Sequence, residues 1–314
     1  MSARGSRILI GILLCLAPTA GAAQDLTPRA YFPAPESSNV VILTYAFSKG
    51  ELVFDPTLPI TNATGTIHTP VVSAYHAFGL FGRSASFTGS LPFAIGNLSG
   101  DVAGESRAVT RRGTVDTSVR LAVNLVGGPS LSAAEFAKTP IARSLLGASI
   151  KIVAPTGQYD PTRVINIGAN RWAFKPELGY TGRTGKFVVD TFAAIWLFTS
   201  NDSFGVTDAA PSGVTRTQAP IAAFELHVSY DVKPRLWVSA DINYWRGGRT
   251  AVNGVEGSQT LQANSRFGLT GSVPLTRRQS IKISFSDGVI VRVGGNFQVL
   301  SVGYQYGWIG KQWK

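Results

Sequence analysis

Cysteine is nearly missing from this 314-residue chain, which has one, Cys15. Histidine is almost as scarce: only His68, His76 and His227 occur, and they share no ligand spacing. These two shortages argue against a disulfide framework and a Cys/His metal centre. The acidic stretch "NDSFGVTDAA" (201–210) lacks the dense carboxylate spacing of a calcium loop. No metal and no cofactor are expected. Charge is thin as well, at 15% of residues, against about a quarter in soluble domains. Beyond the first residues there is no run of roughly 18 apolar residues, so no membrane-spanning helix is predicted.

The N-terminus, "MSARGSRILIGILLCLAPTAGAAQD", has Arg4 and Arg7, an apolar run over 8–16, and small residues at Ala20, Gly21, Ala22 and Ala23. This three-part pattern predicts a cleavable secretory signal over 1–23, cut after Ala23, with Ala22 as the near alternative. The apolar run is too short to span a bilayer. Leu14 before Cys15 is too bulky for lipoprotein processing. Cleavage removes the only thiol and two arginines, leaving 27 Lys+Arg against 18 acids, a net of +9. Such a surface suits anionic lipid or anionic solutes. An exported chain makes nucleic acid the least suitable partner, and none is expected.

What the chain does have is 34 glycines and many alternating segments between Gly, Pro, Asn and Asp clusters. Strands are predicted at roughly 39–48, 70–81, 85–96, 114–126, 147–155, 171–181, 186–198, 220–230, 235–245, 260–273, 280–287 and 297–308, about twelve in all. "GRTGK" (182–186), "DVKPR" (231–235) and "PLTRRQ" (274–279) are tight turns. The stretches 156–170, 199–218 and 246–259 are long and polar. Short turns at one end and long loops at the other mark an antiparallel transmembrane β-barrel, with the turns periplasmic and the loops extracellular. A short periplasmic helix is predicted within 131–147, where Ser132 and Glu135 can cap it and Pro140 interrupts it. The layout is then a periplasmic N-terminal segment (24–38), a barrel (39–308) and a tail (309–314).

In "FELHVSYDVKPRLWVSADINYW" (224–245), Phe224, Leu226, Val228 and Tyr230 alternate with Glu225, His227 and Ser229. After the turn, Leu236, Val238, Ala240, Ile242 and Tyr244 alternate with Trp237, Ser239, Asp241 and Asn243. The same period recurs in 115–125, 172–180, 281–286 and 300–308. A soluble sandwich hides its apolar faces, whereas a membrane barrel turns them to lipid. Two features favour the barrel. Trp172, Tyr180, Tyr230, Tyr244, Tyr304, Tyr306 and Trp308 gather near strand ends on the apolar face, as interface aromatics do. The opposite faces are rich in Gly and Ser, unlike a solvated soluble surface.

"GASIKIVAPTGQYDPTRVINIGANRWAFKPELGYTG" (147–182) resembles the core of the meta-pathway phenol-degradation family of Gram-negative outer-membrane proteins. "PRAYFPAPESSNVVILTYAFSKGELVFDPTLPI" (28–60) and "FQVLSVGYQYGW" (297–308) are similar to it too. The resemblance implies an outer-membrane barrel serving as a transporter, linked to aromatic-compound catabolism. Barrels of this kind commonly end on an aromatic residue read by the barrel-assembly machinery. This chain continues past Trp308 to Lys314, so Tyr306 and Trp308, or Trp313, would carry that signal.

The alternation places Asp116, Arg120, Lys151, Lys175, Glu177, Asp190, Glu225, His227, Asp241, Arg266 and Lys282 toward a lumen. They are candidates for lining a conduit and setting its solute preference. The other reading has the acids and bases pairing and bracing the wall. Inward Trp237 and loop Tyr159 are candidates for stacking on an aromatic solute. In "APTGQYD", Pro155 ends a strand, Gly157 lets the chain turn and Pro161 stiffens the loop. Arg107, Arg111 and Arg112 fall in a predicted outer loop, with two equal readings: contact with lipopolysaccharide phosphates or a solvated basic loop. The expected function is passive passage of a small, aromatic or hydrophobic solute, without catalysis. Two alternatives stay open: a structural or plugged barrel, and a barrel-embedded lipid hydrolase with a Ser–His pair on its outer surface at His68 or His76.

Overall fold

A computed structural model describes residues 26–54, 60–163, 165–206 and 210–310. The predicted signal over 1–23 lies outside these residues, as does the end of the tail. In chain order the elements are β1 (Ser38–Val53), β2 (Ile60–Leu80), β3 (Arg83–Val102), β4 (Glu105–Thr114), β5 (Ser118–Val126), α1 (Ala133–Phe136), β6 (Ser144–Val153), β7 (Ala173–Thr184), β8 (Phe187–Phe198), β9 (Asn201–Phe204) and β10 (Val214–Gln218). They continue with β11 (Ile221–Lys233), β12 (Leu236–Gly247), β13 (Thr250–Val252), β14 (Val255–Glu256), β15 (Gln262–Pro274), β16 (Gln279–Ile290) and β17 (Gly294–Ile309).

Thirteen strands form one antiparallel sheet that closes where β1 pairs with both β2 and β17, and β2 with β3. Twelve are staves of a closed barrel. The thirteenth, β4, pairs only with the far half of β3, while β5 takes the near half, so β4 rises above the wall as an extension of the β5 stave. All twelve predicted segments coincide with staves, but β1, β2 and β3 run to 16, 21 and 20 residues, well beyond their predicted ends.

At one end the staves are joined by tight connections. Phe81–Gly82 is one, with φ of 50° and 73°, the left-handed pair that a two-residue hairpin needs. At the other end the loops are long, and four short strands, in the order β14-β13-β10-β9, form a second sheet within them. The β16–β17 hairpin at that end is short, contrary to the general pattern. The predicted helix is real but brief. Ser132 and Glu135 form a reciprocal capping box at α1, and β6 already begins at Ser144, inside the range given to the helix.

The apolar faces point outward. Leu43, Leu91, Leu178, Phe224, Ile242, Leu269 and Leu300 are exposed although they sit in fully paired strands. On β7, β11, β12 and β15 the residues alternating with them are buried and largely polar, among them Lys175, Glu177, Glu225, His227, Asp241 and Thr270. A soluble sandwich has the reverse arrangement, so this is the wall of a transmembrane barrel. The predicted interface aromatics lie on this outer face in two groups. Trp172 and Tyr244 sit toward the long-loop end, while Tyr180, Tyr230, Tyr304, Tyr306 and Trp308 sit toward the short-turn end.

Candidate functional site

The lumen has two unlike walls. On β5, β7, β11, β12 and β15 the inward side chains make a continuous charged girdle. Arg120 Nη2 meets Glu177 Oε1 at 3.1 Å, and Lys175 Nζ bridges Glu177 Oε2 at 2.8 Å and Glu225 Oε1 at 3.0 Å. His227 follows, with Nε2 3.3 Å from Glu225 and Nδ1 2.8 Å from Asp241. Asp241 closes the chain by accepting from the Ser239 and Thr270 hydroxyls, each at 2.6 Å. Glu225, His227 and Asp241 are buried. Pairing of this kind is what makes buried charge tolerable, because an ion left alone in a low dielectric is strongly disfavoured.

The facing wall, from β16 through β17, β1 and β2 to β3, carries mainly small neutral groups, with Tyr75 on β2 and Lys282 on β16 as exceptions. Ser284 and Ser301 bond each other at 2.7 Å, and Ser73 and Ser90 at 2.9 Å. Thr44, Ala46, Ser48, Ser86 and Thr88 share this side and are partly accessible rather than buried. Toward the long-loop end Ala173, Ala194, Trp196, Ile221, Ala223 and Trp245 form a buried apolar cluster. Lys151 lies 6.0 Å from the Trp196 ring.

Of the N-terminal segment predicted over 24–38, the described residues before β1, 26–37, fold up into the lumen from the short-turn end. Arg29 donates its backbone N–H to Asp190 at 3.0 Å and its Nη1 to Asp231 at 2.7 Å. Tyr31 is buried, and its hydroxyl reaches Glu177 at 2.9 Å and Ser149 at 3.0 Å. Its ring sits edge-on to Phe192, with centroids 5.3 Å apart. Space for the ring comes from Gly147 on β6 and Gly179 on β7, which pair across the strands. A Cβ at either position would overlap the Tyr31 ring. The two resembling stretches, 28–60 and 147–182, therefore meet physically at this plug.

The other predicted residues divide as follows. Asp190 is inward and holds the plug; it also accepts from Thr181 at 2.5 Å. Arg266 is inward and bonds Ser286 at 2.7 Å. Lys282 lines the short-turn mouth of the lumen. Asp116 is not a lumen residue. It sits between β4 and β5 and accepts from Gly157 and Ala169 backbone N–H groups, each at 2.8 Å, so it clasps both ends of the loop 154–172. Burial raises its carboxyl above the usual range, and the two N–H donors work against that rise. Gly157 is needed there for close approach, since a Cβ would meet the backbone of Asp116 and Gly168 within 2.8 Å. Within the same loop Asp160 pairs with Arg163 at 2.8 Å, and Asn166 bonds back to Asp160 and Arg163. Tyr159 bonds Ser203 and Asn201 within the loops. The "APTGQYD" stretch thus makes a self-bonded loop.

His68 and His76 face outward. Their Nδ1 atoms meet Tyr45 Oη at 2.6 Å and Asn39 Oδ1 at 2.9 Å, so the recorded side-chain partner of each is not a serine. Sequence reasoning missed Arg29, Tyr31, Arg183 and Asp231. The available hint was a glycine at two inward positions, 147 and 179, where neighbouring strands carry polar side chains.

A closed barrel with outward apolar staves and a polar, partly filled lumen defines the class of outer-membrane-type β-barrels. The chain belongs to the family described as "Putative MetA-pathway of phenol degradation", whose model matches residues 59–308. No curated protein matches the sequence. Among solved structures, the COG4313 outer membrane channel from Pseudomonas putida F1 is similar over 90% of this chain and 100% of its own, at 18% identity and a TM-score of 0.72. The β domain of the Bordetella autotransporter BrkA is similar over 87% of this chain and 100% of its own, at 10% identity and a TM-score of 0.49.

Proposed function

We propose that the protein is an outer-membrane conduit for passive passage of small solutes along the neutral, hydroxyl-lined side of its lumen. The observation that carries this reading is the asymmetry of the two walls. On one wall Lys175, Glu177, Glu225, His227 and Asp241 are buried and pair with one another, while the serine and threonine side chains opposite stay partly accessible. A wall of hydroxyls offers exchangeable hydrogen bonds without fixed charge, so a small polar or aromatic solute can pass without being trapped. Passage is downhill, since the route needs no covalent chemistry. In this arrangement the short turns and the plug face the periplasm, and the long loops face outside.

The test is conductance of the refolded protein in a planar bilayer, with and without small aromatic acids. Steady unitary currents are expected, and they should fall when Ser73 and Ser301 are both replaced by tryptophan. A folded barrel that stays silent would refute an open route and would favour the plugged, structural reading.

A further inference from the structure

The short-turn mouth of the lumen holds a cavity of about 890 Å³, within the size range of small-molecule sites. Its lining includes six basic side chains, Arg29, Arg183, Lys186, Lys233, Arg235 and Lys282, and one carboxylate, Asp231. That carboxylate is already held by Arg29 and Arg183, each at 2.7 Å. Arg29 also has two buried donors, Nε and Nη2, with no acceptor. A concave wall of low dielectric concentrates the field of such a set. The rest of the lining has an apolar side with Ile141 and two aromatic rings, Phe32 and Trp237, and a neutral polar side with Ser272, Ser280 and Gln305; the Arg29 guanidinium lies 5.3 and 4.6 Å from the two ring centroids.

We propose that this mouth is a binding site for a small aromatic carboxylate. The anionic end answers the excess of cations. The flat body covers the Phe32, Ile141 and Trp237 side of the cavity. A fully polar anion such as phosphate would satisfy the charge and leave the apolar lining wet. A neutral aromatic would do the reverse. The binding claim stands on the cavity alone; its role as a station on the solute route rests on the conduit reading above.

Calorimetric titration of the refolded full chain in detergent at low salt tests it, with benzoate, benzyl alcohol and inorganic phosphate as probes. Benzoate is expected to bind at least tenfold more tightly than either control. The double substitution Lys233→Gln/Arg235→Gln, at the exposed rim, should weaken benzoate by about fivefold, the scale of partly exposed ion pairs. Trp237→Leu should weaken it by a similar factor, about fivefold, the scale of aromatic stacking. Equal binding of benzyl alcohol or of phosphate would overturn the proposal. So would benzoate binding that neither substitution changes in a barrel that remains folded. Conductance on the same preparation separates the two claims. Benzoate binding by a silent barrel keeps the site and sinks the conduit, while currents without benzoate binding do the opposite.

Discussion

The plug stands or falls on the room made for one ring, so Gly179→Ala is an informative substitution. The added Cβ would overlap the Tyr31 ring. The wall cannot easily yield, because β7 is laddered to β6 and β8 along its length. The ring must therefore move and give up its bonds to Glu177 and Ser149 and its edge contact with Phe192. A hydrogen bond to a carboxylate contributes about 1.5–3 kcal/mol, and an edge-to-face aromatic pair about 0.5–1.5 kcal/mol. Their loss, about 2–4 kcal/mol, raises the undocked population by roughly 30- to 1,000-fold. The contacts that remain, from Arg29 to Asp190 and Asp231, hold one residue of a segment whose ordering costs about 1–2 kcal/mol per residue. Arg29 is the only basic residue within 26–37, so tryptic cleavage after it reports the undocked fraction when opening is fast. Cleavage should accelerate by that factor in Gly179→Ala, and by about tenfold or more in Tyr31→Phe, which keeps the ring and loses the hydroxyl. Wild-type cleavage rates in Gly179→Ala, with the barrel still folded by heat-modifiable gel mobility, would refute the reasoning.

Asp241→Ala strips His227, Ser239 and Thr270 of a shared acceptor inside the girdle. It should lower unfolding stability by about 3–5 kcal/mol, read as an earlier urea midpoint in detergent. Asp116→Ala leaves two loop N–H groups without their acceptor. Amide exchange at Gly157 and Ala169 should rise about tenfold or more while the staves stay protected. The Thr162 hydroxyl and N–H hold the Asp160 carboxyl below the usual range. That contribution is complete above the ordinary carboxylate pKa and is lost as pH falls through the lowered folded value. Protease resistance of the loop 154–172 should therefore persist down to about pH 4 and fail only below it. With Tyr45 and Asn39 as their recorded side-chain partners, the outward histidines should support no hydrolysis of nitrophenyl esters above buffer. Turnover abolished by His68→Ala or His76→Ala would restore the hydrolase reading.

The staves were legible because lipid and lumen impose opposite demands on alternate residues. In 224–245, a one-residue slip would put Glu225, His227 and Asp241 into lipid, so the register reads directly from the pattern. The pairing among those charges was not legible. Arg120 and Glu177 are 57 residues apart, and Lys175 and Glu225 are 50 apart. Only the order of staves around the barrel brings them together. The plug was harder still. Pro28, Pro33 and Pro35 break any period in that stretch, so nothing local marks it as buried. Its signal lay in the wall: Gly147 and Gly179 leave a gap that a distant ring fills. Asp116 failed for a related reason. It continues the inward parity of 118, 120 and 122, but it lies in the irregular stretch between β4 and β5, where the Gly157 and Ala169 N–H groups take its carboxylate.

Glu177 ties these parts together. One carboxylate accepts from the Tyr31 hydroxyl and pairs with Arg120 and Lys175. The plug is thus moored to the charged girdle, on the wall where side chains are already spent on one another. The Arg29 and Tyr31 side chains are moored to Asp231, Glu177 and Ser149, all on the charged side. Pairing within the girdle and mooring of the plug fall on the same side of the barrel, which is why the conduit proposed above runs along the other. A substitution at Glu177 should therefore disturb the plug and the girdle together. Substitutions among the serines should alter passage and leave both in place.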